Sequence, residues 1–512
     1  MKNSIKRKSL LSILLIAALI SVYLLLRIKP LLAHSVAYTY DQGRDMMKAA
    51  EIVLYKDLTF IGPTTGIEGL FHGAWWYYYL TIPYAIFGGT PIGFYVANII
   101  IQLASLVTLI YFIRKYMSVW VAGLVGLLVA ISPYFIGTSL FIGNNIMTLP
   151  AMLAFVLTHV VLLEQFPKKR LSQIVLFVAM GISLGLIAEF EFAFGLMIIP
   201  VYMVLLFAIP TMRKLYFSHF NFMFAFSGLA FAFLPRALFE LKNNFAQTRT
   251  LLSFVIEPKL YNPKAYSDVF FDRLDLVTGF YRVIFDGNTL LWIISGALAL
   301  ILLGLVWKRK PVRFKNSLVF FSLLILGLFL FSTVYKDNFW PNYYEGFPYL
   351  YLILIALIFA QVDVLGDIAK RKNITLMSSL VVVIAMSLFL VQKSLQTSIV
   401  IEGLKVQEDV VQYIESHVGA DTNYCLRVYT PPVIPHTYNY LFFHEQQKGR
   451  IKQASADFVN GECWYIVERD DFAERRQAWL DANLPEDGEL KSEKKFRDVQ
   501  VQLWHVTNKD NE

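Results

Sequence analysis

Two carboxylates with an arginine between them are the clearest sign of chemistry in this sequence. Asp41 and Asp45 stand four residues apart, with Arg44 between them, in the segment YDQGRDMMKAAEIVLY. On a helix this spacing places both acids on one face. An ionised carboxylate there can act as a general base on an incoming hydroxyl or bind a divalent cation through oxygen. Asp41 and Asp45 are therefore the predicted catalytic residues.

Each of these residues also has an ordinary structural interpretation. Asp41 lies where a helix could begin, and an aspartate at that point can cap the free N–H groups of the first turn. Arg44 could hold a phosphate through two parallel hydrogen bonds, or it could only form a surface salt bridge with Asp45 or Glu51.

An aromatic run follows the acids, in the segment FHGAWWYYYLTIPYAIFGGTP. His72 stands at the start of the next helix, and aromatic rings fill every position from Trp75 to Tyr79. Such rings are typical of the belt where a membrane protein meets the lipid headgroups. They could instead form a stacking wall for a sugar or an isoprenoid, so His72 and Tyr78 are predicted to bind substrate.

Other charged and aromatic residues lie at the ends of apolar runs. Glu189 and Glu191, in AEFEFAFG, would each cost roughly 2.5–3.5 kcal/mol at the centre of a membrane span. Acids at that depth indicate function, although these two could also sit in water at a helix end. Arg236 could hold a phosphate or form a salt bridge with Glu240 four residues later. Tyr344, in NYYEGFPYLYL, closes another helix mouth, where most rings belong to an interface belt.

The composition indicates that these residues are positioned by membrane helices. The chain has 512 residues, of which 56% are hydrophobic and only 16% are charged. Soluble proteins have about 25% charged residues. The net charge of +8 lies mostly in short basic clusters between apolar runs, so it indicates membrane topology and not nucleic-acid binding.

The apolar runs predict an all-α polytopic membrane protein of about 11–13 transmembrane helices. The first run lacks a cleavage site and is expected to remain as a helix with its basic end in the cytoplasm. The positive charges conflict with the number of spans predicted over 74–113. The loop over 30–73 is expected outside and Arg114 inside, which allows one crossing, but the segment between them contains two candidate spans. Either 74–90 only dips into the interface, or Arg114 is a minority signal and 171–209 crosses once. Both solutions leave the N-terminus inside and the C-terminus outside. The predicted spans are 9–29, 74–90, 91–113, 118–136, 145–163, 172–188, 190–209, 219–239, 289–307, 316–334, 344–362 and 375–393.

Two domains follow from this pattern. Residues 1–393 would form the transmembrane domain, with external loops over 30–73 and 240–288. Residues 394–512 would form a small extracytoplasmic α/β domain, with strands in NYCLRVYT and CWYIVERD and a helix in QEDVVQYIESHV. Its two cysteines, Cys425 and Cys463, either pair or are two unrelated buried thiols.

Motifs of soluble enzymes are absent from the sequence. It contains no Gly-rich phosphate loop, HExxH, CxxC or GxSxG pattern, and its eight histidines show no ligand spacing. We therefore expect no cofactor and no dedicated metal site, although the acids near Asp41 leave a divalent cation possible.

With these residues in place, the sequence resembles the GT-C superfamily of membrane glycosyltransferases. Within it, the chain is similar to the group of protein mannosyltransferases, aminoarabinose transferases and rhizobial lipopolysaccharide galacturonosyltransferases. The likeness rests on one span followed by a long external loop that opens with acids, here YDQGRD, and on HGAWWYYYLTIPYAIFGGTP, NNFAQTR and YYEGFP. It covers roughly residues 1–390. Two features depart from the group: its usual second acid is a Glu next to the Asp, and Glu189 and Glu191 stand where relatives have Lys or His.

The resemblance implies a glycosyltransferase of the cell membrane. The donor would be a polyprenyl-phosphate sugar, and the acceptor a hydroxyl of a lipid-linked glycan or a protein on the extracytoplasmic face. Asp41 would deprotonate that hydroxyl, the anomeric carbon would invert, and Arg44 or Arg236 would hold the departing phosphate. The alternative is a transporter or flippase of lipid-linked saccharides, which should show internal repeats and broken helices at the membrane midplane.

Overall fold

The computed structural model describes residues 2–257, 260–309, 312–361, 403–431 and 433–506. Most of this length is helical. The helices are α1 (Lys2–Leu32), α2 (Tyr40–Tyr55), α3 (Trp75–Phe87), α4 (Pro91–Tyr116), α5 (Val119–Ile131), α6 (Pro133–Ser139), α7 (Thr148–Glu164), α8 (Arg170–Phe190), α9 (Phe192–Ala208), α10 (Pro210–Phe217), α11 (Asn221–Ala232), α12 (Leu234–Lys242), α13 (Ala246–Ile256), α14 (Tyr266–Arg282), α15 (Thr289–Arg309), α16 (Lys315–Ser332), α17 (Pro348–Phe359), α18 (Leu404–Val418), α19 (His436–Gln447) and α20 (Ala473–Asn483).

The long helices confirm the predicted fold class, a multi-pass α-helical membrane protein. Within the described residues, six helices are long and apolar enough to cross a membrane, or eight if two sharply bent helix pairs each count as one span. Helix α3 has only 13 residues and is about 20 Å long, too short for a hydrocarbon core of about 30 Å. The predicted span over 375–393 lies outside the described residues.

Contacts divide the chain into two compact units. The first, called the helical unit, contains Met1–Arg27, Leu58–Tyr78 and Asn98–Ser398. The second, called the tail unit, contains Ile28–Asp57, Tyr79–Ala97 and Ile399–Glu512. The predicted boundary at 393 falls among residues that the structure does not describe, so it stays a prediction. The tail unit also includes two early segments, which the sequence assigned to the transmembrane domain.

A buried arginine holds the broken span of the helical unit. Helix α5 ends at Ile131 and α6 begins at Pro133, with the two axes bent by 61°. Proline lacks an N–H group and leaves backbone carbonyls before it unpaired. The fully buried Arg27 guanidinium donates to the carbonyls of Ala130 and Phe135, both at 2.9 Å. Arg27 therefore links the last turn of α5 to the first turn of α6 across this break.

Replacing Arg27 by methionine is expected to destabilise the helical unit by about 3 kcal/mol. Methionine preserves most of the side-chain volume but leaves several buried carbonyls without a donor, at roughly 1–3 kcal/mol for each unsatisfied group. Thermal unfolding of the detergent-solubilised protein measures this loss. Ile28→Met, which changes an exposed neighbour on the same helix, is the control and should leave the melting temperature unchanged.

The tail unit contains a four-stranded sheet with the order β3-β4-β6-β5. Its strands are β3 (Leu426–Tyr429), β4 (Glu462–Val467), β5 (Gly488–Phe496) and β6 (Val499–Val506); β1 (Ile61–Thr64) and β2 (Phe71–Gly73) form a separate hairpin in the helical unit. Strands β3 and β4 are parallel, and the other pairs are antiparallel. The structure joins Cys425 and Cys463 in a disulfide. The α/β character predicted for the tail, with both of its predicted strands and its helix α18, is confirmed.

The tail helices pack against the segment that leads into α2. The Leu404 amide at the start of α18 donates to the Val36 carbonyl at 3.1 Å. Helix α19 lies along α2 and comes close to it at Gly43, where an added Cβ would lie 2.6 Å from the Thr437 nitrogen. The helix that carries the predicted catalytic acids is therefore held within the tail unit by residues from the far end of the chain.

Candidate functional site

Helix α2 begins one residue before Asp41. The residue that precedes the helix is Thr39, and its backbone N–H donates to Gln42 Oε1 at 2.7 Å. Asp41 therefore lies inside the first turn and is not the cap, so the capping interpretation of Asp41 is wrong. A carboxylate in the first turn is still stabilised by the positive end of the helix dipole.

Arg44 bridges the two acids. Its Nη1 lies 2.7 Å from Asp41 Oδ1, and its Nη2 lies 2.8 Å from Asp45 Oδ1. The alternative pairing with Glu51 does not occur, because Glu51 pairs with Lys48. Two carboxylates and one guanidinium sum to a net charge of −1. This arrangement suits the stabilisation of ionised carboxylates better than the binding of a phosphate.

Exposure separates the two acids. The Asp41 side chain is 48% exposed, whereas the Asp45 side chain is only 2% exposed. A general base must reach the hydroxyl that it deprotonates, so of the two only Asp41 presents an accessible carboxylate. Asp45 lies beneath Arg44, in the position of a residue that orients the guanidinium.

A histidine from the tail unit stands beside this cluster. His436, the first residue of α19, is partly buried next to Gly43 and interacts electrostatically with Arg44 and Asp41. Partial burial and the nearby Arg44 charge lower the pKa of His436, although Asp41 acts in the opposite direction. His436 was missed by sequence reasoning, because no local pattern connects it with a helix at the start of the chain.

The helical unit contains a second polar cluster, built around Glu189 and Arg236. Glu189 is fully buried at the end of α8, and Arg236 Nε donates to its Oε1 at 2.6 Å. The Arg236 Nη1 group also donates to the Phe71 carbonyl and to Gln247 Oε1, both at 3.0 Å. The predicted salt bridge of Arg236 thus exists, but its partner is Glu189 and not Glu240.

A glycine makes room for this cluster. A Cβ on Gly73 would lie 2.6 Å from Glu189 Cβ and would overlap its carboxylate. Three buried polar atoms of the cluster have no hydrogen-bond partner among the described residues: Glu189 Oε2, Arg236 Nη2 and Gln247 Nε2. A ligand that carries both donors and acceptors would find complementary groups here.

The break between α8 and α9 uses the other predicted acid. Glu191 separates the two helices and caps α9, because its Oε1 accepts from the Ala193 N–H at 3.3 Å. It is only 3% exposed, so it does not sit in open water at a helix end. His72 is also buried, and its Nδ1 accepts from the Phe192 N–H at 3.3 Å. The structure therefore brings His72, Glu189, Glu191 and Arg236 together around one helix break.

The two tyrosines predicted to bind substrate occupy different environments. Tyr78 is partly buried, and its hydroxyl donates to the Thr59 carbonyl at 2.7 Å, which holds the loop before β1. Tyr344 has no exposed surface, and its hydroxyl donates to the Leu328 carbonyl at 2.9 Å. Tyr344 is thus a core residue in this structure, where it has no surface to offer to a substrate or to an interface belt.

Breaking the Glu189–Arg236 pair is expected to cost about 3–5 kcal/mol of stability, because Arg236→Met leaves a buried carboxylate without its cation. The double variant Glu189→Leu with Arg236→Met should recover most of that loss. Thermal unfolding measures both. Arg282→Met, which removes an ion pair with the 75% exposed Asp275, is the matched control and should cost under about 1 kcal/mol. Equal losses of stability in Arg236→Met and Arg282→Met would contradict a structural role for Glu189.

The described residues contain no group of three or more His, Cys, Asp or Glu side chains that could hold a metal ion. The acids around Arg44 are already neutralised in part by its guanidinium, and Glu189 is paired with Arg236.

Comparisons with known proteins bear on the fold. No protein-family model matches the sequence, and no curated protein matches it. The structure of ArnT from Cupriavidus metallidurans bound to undecaprenyl phosphate matches with a TM-score of 0.59 and covers 97% of this chain and 98% of its own. The chain has the GT-C fold. The sequence identity is only 12%, so the likeness lies in the path of the backbone.

Two further structures are similar to this chain. The ligand-free form of the same ArnT gives the same TM-score of 0.59, with 14% identity over 97% of this chain and 98% of its own. The oligosaccharyltransferase of Archaeoglobus fulgidus matches more weakly, with a TM-score of 0.49 and 14% identity over 88% of this chain and 67% of its own.

Proposed function

We propose that this protein is an inverting membrane glycosyltransferase that moves a sugar from a polyprenyl-phosphate donor to an acceptor hydroxyl. The observation that carries the proposal is the match to ArnT along nearly the whole of both chains, in a structure that holds undecaprenyl phosphate. An accessible carboxylate in the first turn of α2, held by an arginine and a buried acid, adds the chemistry that such a transfer needs.

In this proposal Asp41 is the general base. An acceptor hydroxyl donates a hydrogen bond to the half-exposed Asp41 carboxylate, and its oxygen attacks the anomeric carbon of the donor. The bond from that carbon to the phosphate oxygen breaks, the hydroxyl proton passes to Asp41, and the polyprenyl phosphate leaves with its electron pair. Arg44 orients the Asp41 carboxylate for this step, because its Nη1 lies 2.7 Å from Asp41 Oδ1.

Arg44 and Arg236 are the two proposed ligands of the leaving phosphate, as the resemblance to the GT-C group implies. Arg44 is shared between two acids, whereas Arg236 is paired with one and has Nη2 without a protein partner in the described part of the chain. A guanidinium edge suits a phosphate, which accepts two parallel hydrogen bonds.

The proposed topology places α2 and the tail unit on the extracytoplasmic side. The short α3 supports the first of the two solutions for 74–113, in which 74–90 does not cross. Arg114 and Lys115 at the end of α4 then lie in the cytoplasm, as the positive-inside rule favours. The proposed location is the plasma membrane, as the resemblance to the GT-C group implies.

Transfer from a radiolabelled polyprenyl-phosphate sugar to an extracted lipid-linked glycan or to a protein acceptor tests the proposal. The purified wild-type protein should form a labelled product in which the sugar has the opposite anomeric configuration. Movement of the labelled lipid across a vesicle membrane without transfer would favour a flippase. Labelled product with retained configuration would exclude the direct attack described above.

A further inference from the structure

The helical unit contains a small cavity whose lining residues are not those of the Glu189–Arg236 cluster. These lining residues have no role in the proposed transfer mechanism. The cavity has a volume of about 240 Å³ and is formed by the middle of α14, the residue Lys264 and the loop over 338–341. Its polar lining comes from Lys264, Asp272, Arg273, Asp275 and Asn338, and its aromatic lining includes Trp340.

The guanidinium of Arg273 is fixed at this cavity. The residue is 1% exposed, and its Nη2 donates to the carbonyls of Tyr335 at 2.9 Å and Asp337 at 2.7 Å. Its Nε donates to the Ser332 carbonyl at 3.3 Å, and its plane lies 4.8 Å from the centre of the Phe339 ring. All three protein acceptors are neutral, and Nη1 is the remaining nitrogen that can meet a ligand.

The loop beside Arg273 is also held rigidly. Both oxygens of Asp337 accept backbone N–H groups, from Tyr261 at 2.5 Å and from Asn262 at 3.1 Å. Burial opposes ionisation of Asp337, but these N–H groups and that of Asn338 outweigh it and hold its pKa below the usual range. The Lys264 N–H further donates to the Lys336 carbonyl at 2.9 Å. A site held in this way requires little ordering when a ligand binds.

The acids of the cavity are already matched by cations. Asp272 pairs with Lys264 at 2.6 Å, and Asp275 pairs with Arg282 at 2.5 Å. None of the hydrogen bonds of Arg273 goes to a carboxylate, although the charges of Asp272 and Asp337 lie near it. The position next to Arg273 therefore favours an anionic group on a ligand, while Asp272, Asp275 and Asn338 offer partners for hydroxyls.

Trp340 supplies the apolar part of the site. Its side chain is 57% exposed at the edge of the cavity, although burial of so large a ring would be favourable. A flat aromatic face beside hydrogen-bonding groups matches a pyranose, which presents C–H groups on one face and hydroxyls around its rim.

We propose that this cavity binds one anionic sugar residue, a pyranose that carries a carboxylate or a phosphate. Trp340 stacks against its apolar face, Arg273 Nη1 holds the anionic group, and the acids and Asn338 accept or donate to hydroxyls. The sugar belongs to the acceptor glycan; this last step alone rests on the proposed glycosyltransferase function.

Binding to the detergent-solubilised full-length protein tests the site without any need for transfer. Isothermal titration with glucuronic acid, glucose 1-phosphate, glucose and inorganic phosphate separates the contributions. At least one of the two anionic sugars should bind ten-fold or more tightly than glucose. The Trp340→Ala variant should weaken that binding at least ten-fold, and Arg273→Gln should abolish it.

Trp120→Ala is the matched control, because Trp120 is also exposed, at 42%, but lies on α5. It should leave binding unchanged. Trp340→Ala keeps the test valid if Arg273→Gln fails to fold. Absence of binding by both anionic sugars would overturn the proposal. The proposal would also be overturned if inorganic phosphate bound as tightly as glucose 1-phosphate and Trp340→Ala left phosphate binding unchanged.

Measurements of sugar transfer distinguish failure of the cavity proposal from failure of the proposed function. The Asp41→Asn variant should bind the anionic sugars like the wild type. If the anionic sugars bind to the wild type but it transfers no sugar, the result supports the cavity proposal and contradicts the proposed glycosyltransferase function. If transfer occurs and Trp340→Ala leaves both binding and the acceptor KM unchanged, only the cavity proposal falls.

Discussion

Asp41→Asn is expected to lower the kcat of sugar transfer by roughly 10²–10⁴-fold, the range for the loss of a general base. Asparagine preserves the size of the side chain and a hydrogen bond to the acceptor, but it cannot take the proton. Donor binding should change little, because Asp41 is not one of the proposed phosphate ligands. Single-turnover transfer from a radiolabelled polyprenyl-phosphate sugar measures the chemical step directly.

Two variants make this test specific to Asp41. Asp57→Asn removes another exposed acid near α2, one that pairs with Lys48, and should leave kcat unchanged. Asp45→Asn removes the buried partner of Arg44, so it should lower thermal stability as well as activity. A fully active Asp41→Asn protein would exclude Asp41 as the base. A larger loss of kcat in Asp45→Asn than in Asp41→Asn would indicate that Asp45 is the general base.

Gly43→Ala is expected to destabilise the tail unit by at least about 1–3 kcal/mol, the usual cost of overpacking. The new methyl group would overlap the His436 carbonyl and would lie 2.6 Å from the Thr437 nitrogen. Both are backbone atoms of α19, so no side chain can rotate away to relieve the overlap. Helix α19 must move, and with it His436 beside Asp41. Hydrogen exchange of α19 should become faster, and transfer should decrease.

The control for this prediction is Gly137→Ala, because an added Cβ on this helical glycine would meet nothing within 4 Å. Alanine favours a helix over glycine by about 1 kcal/mol, so Gly137→Ala should be neutral or stabilising. Unchanged hydrogen exchange of α19 in Gly43→Ala would show that the two helices do not depend on this contact in solution.

Local patterns in the sequence predicted much of the fold. Long apolar runs predicted the spans that became α1, α4, α7, α8 and α16, since hydrophobic length alone determines whether a helix can cross lipid. Alternation of apolar and polar residues predicted β3 and β4. The run over 74–90 was harder to interpret, because its apolar composition resembles a span while the helix that forms is only 13 residues long.

The site could be predicted only where its residues are neighbours in the sequence. The Asp41–Arg44–Asp45 cluster follows from helical spacing, and the structure forms it as expected for residues three and four apart. The exposure that distinguishes Asp41 from Asp45 depends on tertiary packing and could not be predicted. The partner of Arg236 was wrongly predicted for the same reason: Glu240 is closest in sequence, but Glu189 is closest in space.

Under the proposed mechanism, the contact between α2 and α19 also limits how early in its synthesis the protein can become active. Gly43 leaves the ribosome roughly 390 residues before His436, so α2 enters the membrane environment without its packing partner. The base is present early, but its surroundings are completed only after α18 and α19 have been translated and docked. A nascent chain should thus remain unable to consume the lipid-linked donor until nearly the whole polypeptide has been made.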